Sequence, residues 1–125
     1  MKIHNPLFLA LAGTARSHIK EIDIHHAKTL LDAEKPPIFI DVREDSEWQT
    51  GHLSAAIHLS KGVIERDIEK IITDINTPLV LYCSGGYRSA IAAESLQKMG
   101  YKNIFSVEGG ISAWVNAGYL LHDER

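Results

Sequence analysis

The sequence predicts an α/β domain built on a mainly parallel sheet. Short apolar runs at residues 38–42, 79–82 and 104–107 read as strands buried on both faces. Between them lie stretches with apolar residues at helical spacing, and Gly, Pro and Asn mark the joints. Strands that alternate with helices in this way form parallel sheets covered by helices. At 125 residues, 45% apolar and 23% charged, the chain is long enough for a single self-sufficient core.

Taken in order, residues 6–20 predict an N-terminal helix. Asn5 is a cap, Pro6 suits the first turn, and Arg16 and Lys20 fall late, where the helix dipole favours cations. The apolar run 6–12 also has the look of a secretory signal, but it is short and its basic flank is the single Lys2, so the helix is the better reading. It is too short to span a membrane. Glu21-Ile22-Asp23 is extended, and Asp23 caps a helix over 24–31 whose Ala27, Leu30 and Leu31 share a face. Pro36-Pro37 ends that unit ahead of the strand at 38–42. Residues 43–48 form a polar loop entering a short helix that Gly51 stops, and 55–59 is another short strand. Apolar residues at 64, 68, 71 and 72 make a helical stripe within 63–72. Asn76-Thr77-Pro78 is a turn. The strand 79–82 precedes Cys83, and a helix over 90–99 follows, closed by Gly100 in a left-handed cap. Gly109-Gly110 opens a last short helix over 111–117, and Gly118 closes it.

The chemistry concentrates in Cys83-Ser84-Gly85-Gly86-Tyr87-Arg88-Ser89, where a buried strand turns into a helix. Two glycines let successive N–H groups converge on one point. The helix N-terminus adds unpaired N–H groups and the positive end of its dipole. Such a site favours negative charge on a sulfur placed in it, so Cys83 is a candidate nucleophile. A lone cysteine is more often a small buried hydrophobe; its position between strand, glycines and helix lifts Cys83 above that. In open sheets, ligands sit beyond the carboxyl ends of the strands, where this loop falls.

Bulk properties exclude several alternatives. Thirteen basic against sixteen acidic residues, with no basic run, argue against a nucleic-acid partner. One cysteine forms no internal disulfide and implies no oxidising compartment, which fits a cytoplasmic protein. Seven histidines invite a metal reading, but their spacings match no common zinc pattern and there is no second thiol. Surface or capping positions are expected for them, and no metal or cofactor. Asp41 and Arg43 are expected to hydrogen-bond neighbouring loops near the site. Ser89 reads as a helix cap, Arg88 as loop wall and local positive charge. Trp48 and Trp114 read as core or rim packing, and Lys61 as a residue placed to steer an anionic donor.

Four blocks, in order, resemble the rhodanese-like sulfurtransferases: Asp41-Val42-Arg43-Glu44; Glu47-Trp48 with Gly51-His52 and Ala56-Ile57; Cys83 to Ser89; and Gly109-Gly110 with Trp114. The resemblance covers roughly residues 20–119 and divides the chain into an N-terminal helical extension, 1–20, and a rhodanese-like domain, 21–125. Where family members often carry Ile-Pro-Gly-Ala after Gly-His, this chain reads Leu53-Ser54-Ala55-Ala56. The resemblance implies a central, mainly parallel five-stranded sheet with helices on both faces. It also implies a thiosulfate sulfurtransferase-like enzyme: Cys83 takes a sulfane sulfur from a donor such as thiosulfate and passes it to a thiol, cyanide or a protein acceptor, with no membrane partner. Ser84, Gly85, Gly86, Tyr87 and Arg88 would cradle the persulfide, and Arg88 and Ser89 complete the pocket. The rivals are a phosphatase or arsenate reductase on the same fold, and a non-catalytic sulfur-carrying or regulatory module. Cysteine phosphatases place their arginine six residues after the cysteine; here Arg88 is five after, and no carboxylate lies within the loop. Inactive members tend to lose the cysteine that this chain keeps.

Overall fold

In a computed structural model, which describes residues 4–122, five parallel strands form one sheet in the order β1-β5-β4-β2-β3. The strands are β1 (Lys20–Ile22), β2 (Ile38–Asp41), β3 (Ile57–His58), β4 (Leu79–Tyr82) and β5 (Ile104–Val107). The helices are α1 (Pro6–Ser17), α2 (Ile24–Leu31), α3 (Asp45–Trp48), α4 (Ile64–Asp67), α5 (Tyr87–Met99) and α6 (Gly110–Asn116). This is the α/β architecture that the alternating pattern predicts.

The central strand β4 is buried at all four positions because both sheet faces are covered. Leu79, Leu81 and then Cys83 point into one core cluster, with Ile64 and Ile68 of the α4 region and Ala92, Ala93 and Leu96 of α5. Val80 and Tyr82 point the other way, to Ala27 of α2 and Trp114 of α6. The two-residue period of a strand thus aims Cys83 at the side where α5 lies. Alanines on α5 let that helix sit close against the sheet.

Several elements differ from the sequence reading. Residues 63–72 are not one α-helix: α4 gives way to a 3-10 turn, Ile68–Lys70. The tighter turn keeps Ile64, Ile68 and Ile72 in the core and rotates Ile71 out to 53% exposure. The fifth helix begins at Tyr87 instead of residue 90, because Gly86 takes φ +96° and is itself the N-cap. Ser89 is therefore inside the first turn and caps nothing. Asn5 makes no side-chain cap bond and Lys20 opens β1, whereas Asp23 does cap α2, accepting the His26 N–H at 2.8 Å.

Helix α1 lies along α5. Ala12 and Ala15 are fully buried against Ala90 and Ile91. Its far end is tied down where His18 pairs with Glu94 at 2.6 Å and Gln97 donates to the His18 carbonyl. Among the described residues no helix is long and apolar enough to cross a membrane.

Candidate active site

Cys83 leaves the carboxyl end of β4 with its side chain turned toward the start of α5, and only 1% of the residue is exposed. The N–H groups of Gly86 and Ser89 donate to its Sγ at 3.1 and 3.4 Å. The Cys83 thiol lies 3.6 Å from Ser89 Oγ, which is also within 2.8 Å of Ser106 Oγ on β5. Two backbone donors at the head of a thirteen-residue helix thus converge on one sulfur. Gly86 makes the approach possible: a Cβ there would lie 3.2 Å from both the Gly109 nitrogen and the Val107 oxygen.

The loop is held from the opposite side by α6. The N–H groups of Ile111 and Ser112 donate to the carbonyls of Cys83 and Ser84, both at 2.9 Å. Gly110, at φ +52°, stands so close that a Cβ would meet the Cys83 oxygen at 2.3 Å. Gly109-Gly110 is thus more than a helix opening: it is the surface on which the cysteine loop rests.

The sequence reading assigned no role to Glu47, and the structure brings it against the loop. The Arg88 guanidinium donates to both its carboxylate oxygens at 2.7 and 3.0 Å, and Ser84 Oγ donates to Oε2 at 3.1 Å. The hydrogen bonds from Arg88 hold the Glu47 carboxyl down at about 2, and they raise the arginine in turn. Glu47 is placed by α3, whose first turn it closes in a reciprocal capping box with Glu44. Arg88 lines the cavity beside the loop, and its charge is matched by a carboxylate. In sequence the two are 41 residues apart, which is why reading the loop alone finds no acidic group.

Asp41 and Arg43 brace the segment that carries α3. Arg43 is 4% exposed and Asp41 fully buried. The Arg43 guanidinium grips both Asp41 oxygens and donates to the Gly51 carbonyl at 2.7 Å. His58 Nε2–H donates to the Arg43 carbonyl. Trp48 stacks at the rim on His52, ring centroids 3.5 Å apart, and on His58 at 4.9 Å. His52 is only 3% exposed, so it is a packed rim residue and not the surface group expected. Trp114 lies in the core, its indole N–H bound to the Leu120 carbonyl. Burial pushes the Tyr82 phenol up, and its oxygen accepts the Leu53 N–H.

Cys83 opens into a cavity of about 100 Å³, whose loop side is Ser84, Gly85, Tyr87 and Arg88. Its other walls are Ser112 of α6 and, from outside the predicted site, His4 and Phe8 at the start of α1. Lys61 does not line it; its N–H donates to Val42 at the end of β2. A larger cavity of about 430 Å³ lies between α2 and the chain after α6, with Lys28, Trp114 and Tyr119 in its walls. Cys83 is not in its walls, so the smaller cavity is the one that serves the thiol. Among the described residues no cluster of three or more His, Cys, Asp or Glu is placed to hold a metal.

The model of the rhodanese-like domain family matches residues 23–117. The chain is similar to the putative sulfurtransferase YtwF of Bacillus subtilis, 35% identical over 96 residues that make up 77% of this chain and 90% of that protein. It is also similar to the tRNA uridine(34) hydroxylase of Protochlamydia amoebophila, 36% identical over 90 residues. That match takes in 67% of this chain but spans only 28% of the hydroxylase's length. Among solved structures, a Rhodopseudomonas palustris protein described as of unknown function and a possible tyrosine phosphatase superposes with a TM-score of 0.83, at 26% identity over 98% of each chain.

Proposed function

This chain belongs to the rhodanese-like domain family, and on that premise we propose that it is a sulfurtransferase carrying sulfane sulfur as a persulfide on Cys83. The observation that carries the reading is the pair of N–H groups, from Gly86 and Ser89, aimed at Sγ from the head of α5. They stabilise negative charge on a sulfur without any metal. With thiosulfate as donor, the Cys83 thiolate attacks the outer sulfur. The sulfur–sulfur bond breaks, its electron pair leaves with sulfite, and the protein keeps Cys–S–S⁻. A thiolate or cyanide then attacks the terminal sulfur, and the cysteine thiolate is the leaving group. Charge balances in both halves and no proton or oxidant is consumed. A cavity of about 100 Å³ suits a small donor and a slender acceptor, including a cysteine presented by a protein partner. A buried free thiol of this kind suits a reducing, cytoplasmic setting.

The phosphatase reading fares worse against the same geometry. Hydrolysis of an oxyanion ester needs a group with a proton to give to the leaving oxygen. Arg88 is clamped by Glu47, and Glu47, held at about 2, has no proton to donate near neutral pH. A regulatory module would need no such sulfur-directed donors.

The deciding experiment is intact mass spectrometry after thiosulfate treatment. Wild type gains one sulfur atom and Cys83→Ser gains none. A wild-type protein that takes up no sulfur overturns the proposal.

A further inference from the structure

The family match begins at residue 23, yet part of the wall of the Cys83 cavity comes from before it. His4 and Phe8, one turn apart around the start of α1, meet Tyr87, the first residue of α5. The His4 and Tyr87 rings stand edge-to-face with centroids 4.8 Å apart. The Phe8 ring centroid lies 5.4 Å from that of His4, tilted, and 6.2 Å from that of Tyr87, edge-to-face. This cluster is seated by the alanine contact of α1 on α5 and by the ties at His18. The loop's own polar side chains, Ser84 and Arg88, are turned to Glu47. What the start of α1 adds to the wall, beside Ser84, Arg88 and Ser112, is aromatic edge and face.

We infer that the N-terminal helix is a working part of the sulfur site, and that Phe8, with His4 and Tyr87, selects a catenated donor, an inorganic polysulfide chain, over thiosulfate. This rests on the sulfur-transfer reading above. The internal sulfurs of a polysulfide are uncharged and polarisable, as a thioether sulfur is, and such sulfur makes favourable contacts with aromatic rings. The sulfonate end of thiosulfate is strongly hydrated and would lose water against the same wall without gaining donors. With polysulfide the reaction keeps its balance. The Cys83 thiolate attacks the terminal sulfur and forms Cys–S–S⁻, one sulfur–sulfur bond of the chain breaks, and a dianion shorter by one sulfur leaves with the electron pair. Phe8 does not touch the bond that breaks; it holds the chain in line with Sγ.

The test compares kcat/KM for persulfide formation from polysulfide and from thiosulfate, read by rapid quench and intact mass, in wild type, Phe8→Leu and Phe8→Trp. Leucine keeps apolar bulk so that α1 stays seated, and tryptophan keeps an aromatic ring. The polysulfide-to-thiosulfate ratio is expected to fall about three- to tenfold in Phe8→Leu, the worth of one sulfur–ring contact, mostly through KM, and to hold in Phe8→Trp. An unchanged ratio in Phe8→Leu, or an equal fall in both variants, overturns the inference and leaves α1 as a brace. A loss shared equally by both donors overturns it too. If wild type takes sulfur from neither donor, it is the sulfur-transfer reading itself that fails.

Discussion

Replacing Glu47 by glutamine probes the contact that links α3 to the cysteine loop. The carboxyl is held at about 2 against an ordinary 4.5, chiefly by hydrogen bonds from Arg88. At 1.36 kcal/mol per tenfold change in proton affinity, that fall is worth about 3 kcal/mol. The pair sits at a rim where Glu47 is 29% and Arg88 23% exposed, so solvent screening lowers the figure, and a loss of about 1.5–3 kcal/mol is expected at pH 7. The sign with pH follows from the direction of the shift. A carboxyl depressed in the folded state stabilises fully above 4.5, and that stability is lost as pH falls through about 2. Urea denaturation of wild type and Glu47→Gln at pH 7, 4.5 and 3 should show the gap between them roughly halved near pH 3. A gap that stays constant down to pH 3, or one below about 0.5 kcal/mol at pH 7, would refute the carboxylate charge as its cause.

Two backbone predictions follow from glycine geometry. Gly110→Ala places a methyl 2.3 Å from the Cys83 carbonyl in a left-handed conformation, so denaturation should show a loss of about 2–4 kcal/mol. The persulfide yield of its folded fraction should fall as well, because the displaced atoms belong to the loop; full yield would separate α6 from the site. Ala55→Gly should act in the opposite sense. Ala55 is the one non-glycine among the described residues with positive φ, at 62°, which costs about 1–2 kcal/mol against a glycine entropy of about 0.5–1. A net gain of about 0.5–1 kcal/mol should raise the melting temperature, and an unchanged or lower one would show that the turn is not strained.

What was legible in the sequence is what is local. The run from Leu79 to Gly86 carries its own instructions: a continuous apolar strand ends at Cys83, and Gly86 lets the backbone curl onto it. The same holds for the resemblance, which preserves the order of the blocks; the reading of Asp41 and Arg43 as bound to neighbouring loops does not include the pair that they make with each other. The Leu53-Ser54-Ala55-Ala56 departure was visible as well, but its cost was not, because a left-handed φ cannot be read from an alanine. Ser89 was misread for a related reason. A serine ahead of Ala90 looks like a cap only if Gly86 is not already one, and that depends on the tight approach of Gly109 and Val107.

The two contacts that give the site its character were not legible, because each joins elements that the sequence lists far apart. Glu47 reads as part of a polar turn until α3 is set beside the loop; only then does the wall arginine acquire a partner and the site lose a free cation. Phe8 reads as one apolar residue of an amphipathic helix until Ala12 and Ala15 bring α1 within reach of Tyr87. Both contacts act in one direction. On the proposed reading, pairing Arg88 offsets the charge that would draw a hydrated oxyanion inward, and the aromatic lip adds a surface that sulfur would favour. The family motif provides a thiolate cradle that several anionic chemistries could share. Under the proposed sulfur-transfer reading, it is Glu47, reaching in from α3, and α1, reaching in from before the family match, that would bias this cradle toward sulfane sulfur.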